Sequence, residues 1–374
     1  MSGMISGSRK MNSKAMVAIL ALASCGLLLL GGGQTFENPS KPVARNAGRI
    51  LKLKESVRIE DVGGEYFFRY PRIIKMAPDG SFFLYDSGQL LQFDSQGRYL
   101  HNYYKKGQGP GELGNVSDFD FTPERVIVHS NSPNKLVWFD LQGKLVKEVS
   151  LAPLASQLRF VFFQDGTSWF FKDIYPPPSG KAESFDMRQV LLAVTEDGRE
   201  ASEMAAFINK AFVAGNAIVY QSLNQVLFKR RYIYISTSRE YALHVFDTQS
   251  KTVLKTFARR YDRVKRSSGS QSASITAQDG TRYEAPGSEY SEDVSGLYAY
   301  KQVLWATTST KAKDKGVFVD VFDQEGRYVD AFWLKLDGSL LGVCGDDIFV
   351  LEKNADETLR IAGYTVVDHE TPSI

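Results

Sequence analysis

Cysteine is nearly absent from this 374-residue chain, which has only Cys25 and Cys344. Cys25 lies in an N-terminal apolar run, so a disulfide framework is excluded and the core must come from burial, for which the length suffices. Histidine is scarce too, with His101, His129, His244 and His369. None is paired as H-x-H or H-x-x-x-H, the spacings that would turn two ring nitrogens toward one metal ion. Neither sign of charge dominates, since 45 Lys and Arg oppose 43 Asp and Glu. That excludes the broad basic field that holds nucleic acid. No G-x-S-x-G occurs. Ser268-Gly269-Ser270 stands in a polar stretch that reads as flexible, where no base could be held in register, so a serine nucleophile has no support.

What is present begins at the N-terminus. Arg9, Lys10 and Lys14 precede AMVAILALASCGLLLLGGG, an uncharged run over residues 15–33. A basic region (1–14) followed by an apolar helix is the pattern of export, and at ~1.5 Å per residue the run is close to the ~30 Å of a bilayer core. Leu22-Ala23-Ser24-Cys25 resembles a bacterial lipobox, which makes Cys25 a candidate lipid-attachment site, although leucines rather than polar residues soon follow it. Three readings stay open: an uncleaved membrane anchor, a lipoprotein signal, and cleavage near Gly33. All three place the rest of the chain outside the cytoplasm, in the cell envelope, with residues 34–47 as a polar linker.

The body of the chain repeats. Phe93-Asp94-Ser95-Gln96-Gly97, Phe139-Asp140-Leu141-Gln142-Gly143 and Phe322-Asp323-Gln324-Glu325-Gly326 share one setting, a turn between two alternating strands. Asp bonds amides of its own turn, and Gly takes the φ > 0 position. Two weaker copies keep the register, one around Asp197-Gly198 and one at Phe246-Asp247, where Ser250 stands in the glycine position. A second hairpin precedes several copies, with turns at Asp79-Gly80 and Asp165-Gly166, so each unit holds four strands. From Phe93 to Phe139 is 46 residues, from Phe139 to Val194 is 55, from Val194 to Phe246 is 52 and from Phe246 to Phe322 is 76. A period of ~40–50 residues with four strands is that of propeller blades. The long interval contains a polar, partly disordered insertion at 259–294, and removing about 30 residues restores the period.

The count is six blades over residues 48–367, with a tail at 368–374. The sixth, from Ser339 to Val367, supplies three strands, and Arg49–Asp61 at the other end supplies the fourth, which closes the ring and removes a free edge. The expected fold is an all-β six-bladed propeller of four-stranded antiparallel blades behind an N-terminal apolar helix. Aromatics at 12%, with 24 Phe and 18 Tyr, suit such half-buried pleated surfaces.

These residues resemble the NHL-like six-bladed β-propellers of bacterial cell surfaces. The likeness rests on Asp79-Gly80, Tyr85-Asp86, Phe93-Asp94 with Gly97, and above all Gly107-Gln108-Gly109-Pro110-Gly111-Glu112. In that family a G-x-G-P-G-E segment follows the last strand of a blade, and here it occurs once. The resemblance implies an architecture and an extracytoplasmic setting. It implies little about ligand, because such rings include binding modules and, on related rings, lyases and lactonases.

KKGQGPGE could be taken for a phosphate loop. Its lysines precede the glycines, Pro110 removes an amide donor, and a strand rather than a helix follows, so neither a Walker nor a dinucleotide loop fits. It reads instead as a structural connector on the ligand-facing side, in which Gly107, Gly109 and Gly111 allow sharp turns, Pro110 stiffens the path and Glu112 accepts exposed amides. His129, on an inner hairpin, is the histidine expected nearest the central channel. Tyr66–Tyr70, Trp169–Phe171 and Tyr298–Tyr300 read as packing between blades, with a ligand surface as the alternative, and Tyr175–Pro178 as a rigid polyproline-like spacer, with a recognition element as the alternative. Basic residues Arg259, Arg260, Arg263, Lys265 and Arg266 face Glu284, Glu289, Glu292 and Asp293 across the insertion, which suggests that its arms associate. They and Lys229-Arg230-Arg231 otherwise read as solvated loops, with contact to anionic lipid headgroups a minor alternative. The expected function is a membrane-tethered, non-catalytic binding module for a protein, peptide or glycan, with no cofactor, no metal and no nucleic acid. The alternative is a metal-dependent propeller lyase or lactone hydrolase.

Overall fold

A computed structural model of the chain describes residues 33–367, apart from 62–63, 155–157, 176–182, 215–216, 221–222, 238–239, 267–272, 277–279 and 286–287. The expected apolar helix with Cys25, and the tail with His369, lie outside the described residues. Three strands come first: β1 (Gln34–Asn38), β2 (Arg49–Ile50) and β3 (Leu53–Glu60). Blade 1 follows as β4 (Pro71–Met76), β5 (Phe82–Asp86), β6 (Gln89–Phe93) and β7 (Tyr99–Asn102). Blade 2 is β8 (Val116–Thr122), β9 (Arg125–Asn131), β10 (Asn134–Asp140) and β11 (Leu145–Ser150). Blade 3 is β12 (Leu158–Gln164), β13 (Thr167–Ile174), β14 (Glu183–Thr195), β15 (Ala201–Ala214) and β16 (Ala217–Tyr220). Blade 4 is β17 (Asn224–Phe228), β18 (Tyr232–Ser236), β19 (Ala242–Asp247) and β20 (Thr252–Arg259). A small hairpin of β21 (Ala273–Thr276) and β22 (Arg282–Ala285) stands in the insertion. Blade 5 is β23 (Val294–Tyr300), β24 (Val303–Ala312), β25 (Gly316–Phe322) and β26 (Tyr328–Leu334), and blade 6 begins with β27 (Ser339–Cys344), β28 (Asp347–Lys353) and β29 (Leu359–Val366).

Each blade is covered on both faces by its neighbours, so its middle strands are apolar on both sides. All five residues of β5, for example, are buried. The buried apolar side chains of the described residues fall into six clusters, one per seam. Phe83, Phe119 and Phe139, for instance, meet between blades 1 and 2.

The repeated turn works at two levels. Locally, Asp94 Oδ1 accepts the Gln96 and Arg98 amides at 2.9 and 3.0 Å, and Asp140 Oδ1 accepts those of Gln142 and Lys144 at 3.0 and 2.8 Å. Between blades, the turn glycine touches the outer strand of the preceding blade. A Cβ on Gly97 would stand 2.8 Å from the Arg58 carbonyl of β3. On Gly198 it would stand 2.9 Å from the Ser150 carbonyl of β11, and on Gly326 it would meet the Phe257 ring of β20 at 2.6 Å. These glycines have φ of +81°, +72° and +84°. The repeat therefore keeps glycine both for the left-handed backbone and for the close approach of one blade to the next.

The N-terminal segment differs from the expected linker. β1 adds to blade 4 as a fifth strand parallel to β20, with Gln34 opposite Lys255 and Asn38 opposite Arg259. Residues 43–51 then bond along β26, and β2 pairs with it in parallel, so the start of Arg49–Asp61 belongs to blade 5. β3 pairs antiparallel with β29 as the outermost strand of blade 6. Composition concealed this because a short polar strand shows no burial alternation of its own and is stabilised by the edge it meets. Asn38 is buried and pins two blades: its amide donates to the Ala258 and Gly326 carbonyls at 3.2 and 2.9 Å, and its carbonyl accepts the Tyr328 amide at 2.8 Å. In the same seam Arg259 pairs with the buried Asp320 at 2.7 Å, and the hydroxyls of Tyr241 and Tyr328 also reach that carboxylate. Arg259, read as the first residue of a solvated insertion, instead ends β20 inside a ring of three tyrosines, Tyr241, Tyr261 and Tyr328.

The turn glycines allow a matched test. At Gly80, φ is +85° and nothing lies within 4 Å of the missing Cβ. Gly80→Ala is expected to cost only backbone strain, about 1 kcal/mol, whereas Gly97→Ala, which also collides with β3, is expected to cost about 2–3 kcal/mol. Equal losses in urea unfolding would refute an inter-blade role for the repeat glycine.

Candidate functional site

The ring has two unlike faces. Hairpin turns joining the first to second and third to fourth strands of each blade form the turn face. The other hairpins and the blade-to-blade connections form the connector face.

The connection from β7 to β8 carries Gly107, Gly109, Pro110, Gly111 and Glu112. Its amides are satisfied internally: Gly107 donates to the Leu113 carbonyl at 3.2 Å, Glu112 to Gly109 at 3.1 Å and Leu113 to Lys105 at 2.7 Å. Glu112 Oε2 accepts the Gly109 amide at 3.0 Å, while Lys105 pairs with its Oε1 at 3.0 Å. Glu148 accepts the Gly111 amide at 3.0 Å and holds Lys135, which also donates to the Gly109 carbonyl. Because these amides are already used, the loop is a tied connector and not a phosphate cradle. Its tightest point is Gly114, where a Cβ would lie 1.6 Å from the Ser132 carbonyl, whereas at Gly109 it would lie 3.1 Å from the Glu112 carboxylate.

Beside it runs the connection from β3 to β4. Tyr66 and Phe68 are buried between blades 6 and 1, but Phe67 and Tyr70 are 44% and 65% exposed. Asp86, fully buried at the end of β5, accepts the Arg69 amide at 2.7 Å and the Tyr70 amide at 2.5 Å. Gln89 donates to the Phe67 carbonyl at 2.7 Å. Burial pushes the Asp86 carboxyl above its usual range, against the lowering effect of those two amides and of Arg69 and Arg72. The Arg69 guanidinium lies 4.2 Å from the Phe67 ring centre. Phe67, Arg69 and Tyr70 thus form an exposed aromatic and cationic set on an anchored backbone. Packing, the preferred reading of YFFRY, describes Tyr66 and Phe68 but not Phe67, Arg69 and Tyr70. A period of two separates Tyr66 and Phe68, inward, from Phe67 and Arg69, outward, and Tyr70 breaks it by turning outward as well.

On the innermost strands, β4, β8, β12, β23 and β27 each carry a register break, at Arg72, Ser117, Val161, Ser295 and Leu341. Such bulges redirect side chains. Some of the charged groups there are paired across blades. Lys75 meets Asp118 at 2.7 Å, and Arg230 of blade 4 bonds Asp120 of blade 2 through both guanidinium nitrogens, at 3.1 and 2.8 Å, and the Phe163 carbonyl of blade 3 at 2.6 Å. Burial raises Asp118, with Lys75 opposing. In blade 3, Arg159, Asp173 and Gln189 form a polar row across three strands. A shallow cleft between blades 2 and 3 is lined by Arg125, Trp138, Lys147, Phe163 and Glu196, with Lys147 and Glu196 paired across it.

His129 does not approach the channel. It is buried in the seam between blades 2 and 3, edge-on to Phe170, with Nδ1 2.5 Å from Ser117 Oγ and Nε2 3.0 Å from Asn134 Oδ1. Burial pushes its pKa down to about 4, and that of buried His244 equally. His101 sits on β7 beside Gly143. No group of three or more His, Cys, Asp or Glu placed to hold a metal occurs among the described residues. The arms of the insertion do associate, through Arg263–Asp293 at 2.9 Å and Lys265–Glu289 at 3.4 Å. Trp169, Phe170, Phe171 and Tyr300 pack as expected.

A family model described as a six-bladed β-propeller, DUF5128, matches residues 65–262. No curated protein sequence matches the chain. Among solved structures, a Bacteroides fragilis protein named as exported shares 11% identity, with 88% of this chain and 99% of that one covered and a TM-score of 0.54. A member of the DUF4221 family from Bacteroides vulgatus shares 11% identity over 85% of this chain and 99% of that one, with a TM-score of 0.53. At such identity the likeness is one of fold.

Two outcomes follow from this geometry. Gly114→Ala is expected to destabilise by about 3 kcal/mol or more, since backbone rather than a side chain stands in the way. Retained thermal stability would show that the connector is not tied to the Ser132 turn. The second concerns acid. Folded His129 stays neutral down to about pH 4, whereas unfolded it takes a proton near 6.5, so its stabilising contribution is full above pH 6.5 and is lost as pH falls toward 4. His129→Gln is expected to remove about 3 kcal/mol of that acid-side loss, seen as a shallower fall of unfolding free energy between those pH values. An unchanged slope would contradict the assignment.

Proposed function

This chain belongs to the DUF5128 family of six-bladed β-propellers, and from that premise we propose that it is a binding module of the cell envelope. It is tethered through its N-terminal apolar run and captures a protein, peptide or glycan on its connector face. The observation that carries the reading is the Phe67–Arg69–Tyr70 set. Aromatic and arginine side chains are the residues that dominate interface energetics, and they do so best when little entropy is lost on binding. Asp86 supplies that preorganisation by holding both amides of the loop. The neighbouring glycine connector is fixed by its own hydrogen bonds, so the surface around the set is rigid as well. The paired charges on the innermost strands are in keeping with a scaffolding channel. The envelope setting is supported by the basic and apolar N-terminus and is in keeping with a similar fold in a protein named as exported.

Photo-crosslinking in the native envelope tests this. A crosslinking residue at 67 or 70 is expected to give discrete adducts that a residue at Gln142, exposed on the turn face, does not give. Phe67→Ala with Tyr70→Ala is expected to weaken ligand capture at least about tenfold while leaving the melting temperature within a few degrees. Equal adducts from both faces would refute the assignment of the connector face.

A further inference from the structure

The turn face has its own unexplained feature. Most left-handed turn positions on it are taken by glycine, as at Gly80, Gly143, Gly166 and Gly345. In both such turns of blade 4 and the first-to-second-strand turn of blade 5 they are taken by Lys229 (φ +52°), Arg230 (φ +50°), Lys251 (φ +57°) and Lys301 (φ +51°), while Gly326 keeps the other turn of blade 5. In the third-to-fourth-strand turn of blade 4 the residue with positive φ is Lys251, not Ser250 as the repeat alignment expected. Among the described residues, seven non-glycine residues have positive φ, and these four basic ones lie together in one sector; the fifth on this face is Asp165. Glycine would occupy each position without strain. Backbone strain of this kind persists where the side chain serves a function. Arg230 has an evident structural partner in Asp120. Lys229, Lys251 and Lys301 are exposed; Lys229 lies over the Phe228 ring, and Lys301 over the Tyr300 ring with a loose contact to Asp346 at 3.8 Å.

A second observation lies beside them. The apolar run ends at Gly33, and Gly33 is already seated on the ring, where a Cβ would stand 2.6 Å from the Val253 carbonyl. β1 follows at once, parallel to β20, so the chain enters the blade at the start of β20, next to the turn that carries Lys251. The segment expected to be a polar linker is instead laid on the ring, first as β1 and then along β26. Whatever surface holds the apolar run is therefore held against this sector of the turn face.

We infer that the turn face of blades 4 and 5 docks on an anionic lipid surface through Lys229, Lys251 and Lys301. The inference rests on the tethered reading above and adds an orientation: the connector face, with Phe67 and Tyr70, points away from the bilayer. Lysines within a Debye length of anionic headgroups are attracted strongly, and each adds to the preference for one orientation.

The test uses the full chain with a fluorescent amino acid at Gln249, on the turn face, or at Gln108, on the connector face, in vesicles bearing an acceptor-labelled headgroup. Phosphatidylcholine alone is compared with phosphatidylcholine containing about 30% phosphatidylglycerol. Energy transfer from 249 is expected to exceed that from 108 and to rise with the anionic lipid. Lys229→Gly, Lys251→Gly and Lys301→Gly together are expected to abolish that rise while preserving or raising the melting temperature, because glycine relieves the turns. Equal transfer from both positions on anionic vesicles, or a rise that survives the triple substitution, would overturn the docking surface even if the chain floats with neutral vesicles. Failure to float with neutral vesicles would instead overturn the tether itself.

Discussion

An unpaired sheet edge presents a row of amide and carbonyl groups that must find partners in water or in protein. A ring of blades turns its inner edges toward one another but leaves an outer edge on every blade. Residues 33–60 meet that constraint for three blades in succession, as a parallel strand on blade 4, a short parallel bridge on blade 5 and the antiparallel outer strand of blade 6. The rest of the seam between blades 4 and 5 is built on this strap. Phe36 stacks on Phe257, whose ring abuts Gly326, and Asn38 bonds the backbone at Gly326 and Tyr328. Tyr328 in turn holds Asp320, which holds Arg259. A buried ion pair of this kind is tolerable because further hydrogen bonds satisfy the carboxylate: Tyr241 donates to Oδ2 and Tyr328 to Oδ1.

The same economy explains the repeat. Asp organises a turn through amides no more than four residues away, and Gly lets that turn touch the previous blade. The motif is thus both a local instruction and a contact between blades. Where blades 4 and 5 depart from it, basic residues stand in positions that favour glycine, and the departures gather where the chain enters the ring. The two faces are consequently unlike. One carries anchored aromatic residues over satisfied glycine loops, and the other carries strained cations.

Blade number, strand order and the placement of the glycine connector were legible in the sequence, because turn chemistry acts over a few residues and alternation acts over one strand. The site was only partly legible. Phe67 and Tyr70 are indistinguishable by type from Tyr66 and Phe68, and it is Asp86, on the next strand, that fixes the backbone so that one pair is buried and the other exposed. His129 was expected near the channel, yet the bulge at Ser117 brings that hydroxyl onto the ring inside a seam.

The sequence by itself determined the repeating unit and its turns, which depend on contacts within about fifty residues, and counting those units gives the six blades. The tertiary structure alone decided where the polar segment after Gly33 would go, which arginine would be buried and which lysines would share a surface. Those outcomes join residues as far apart as Asn38 and Tyr328, and a contact of that span exists only once the ring supplies the edge, the seam or the face in which it forms.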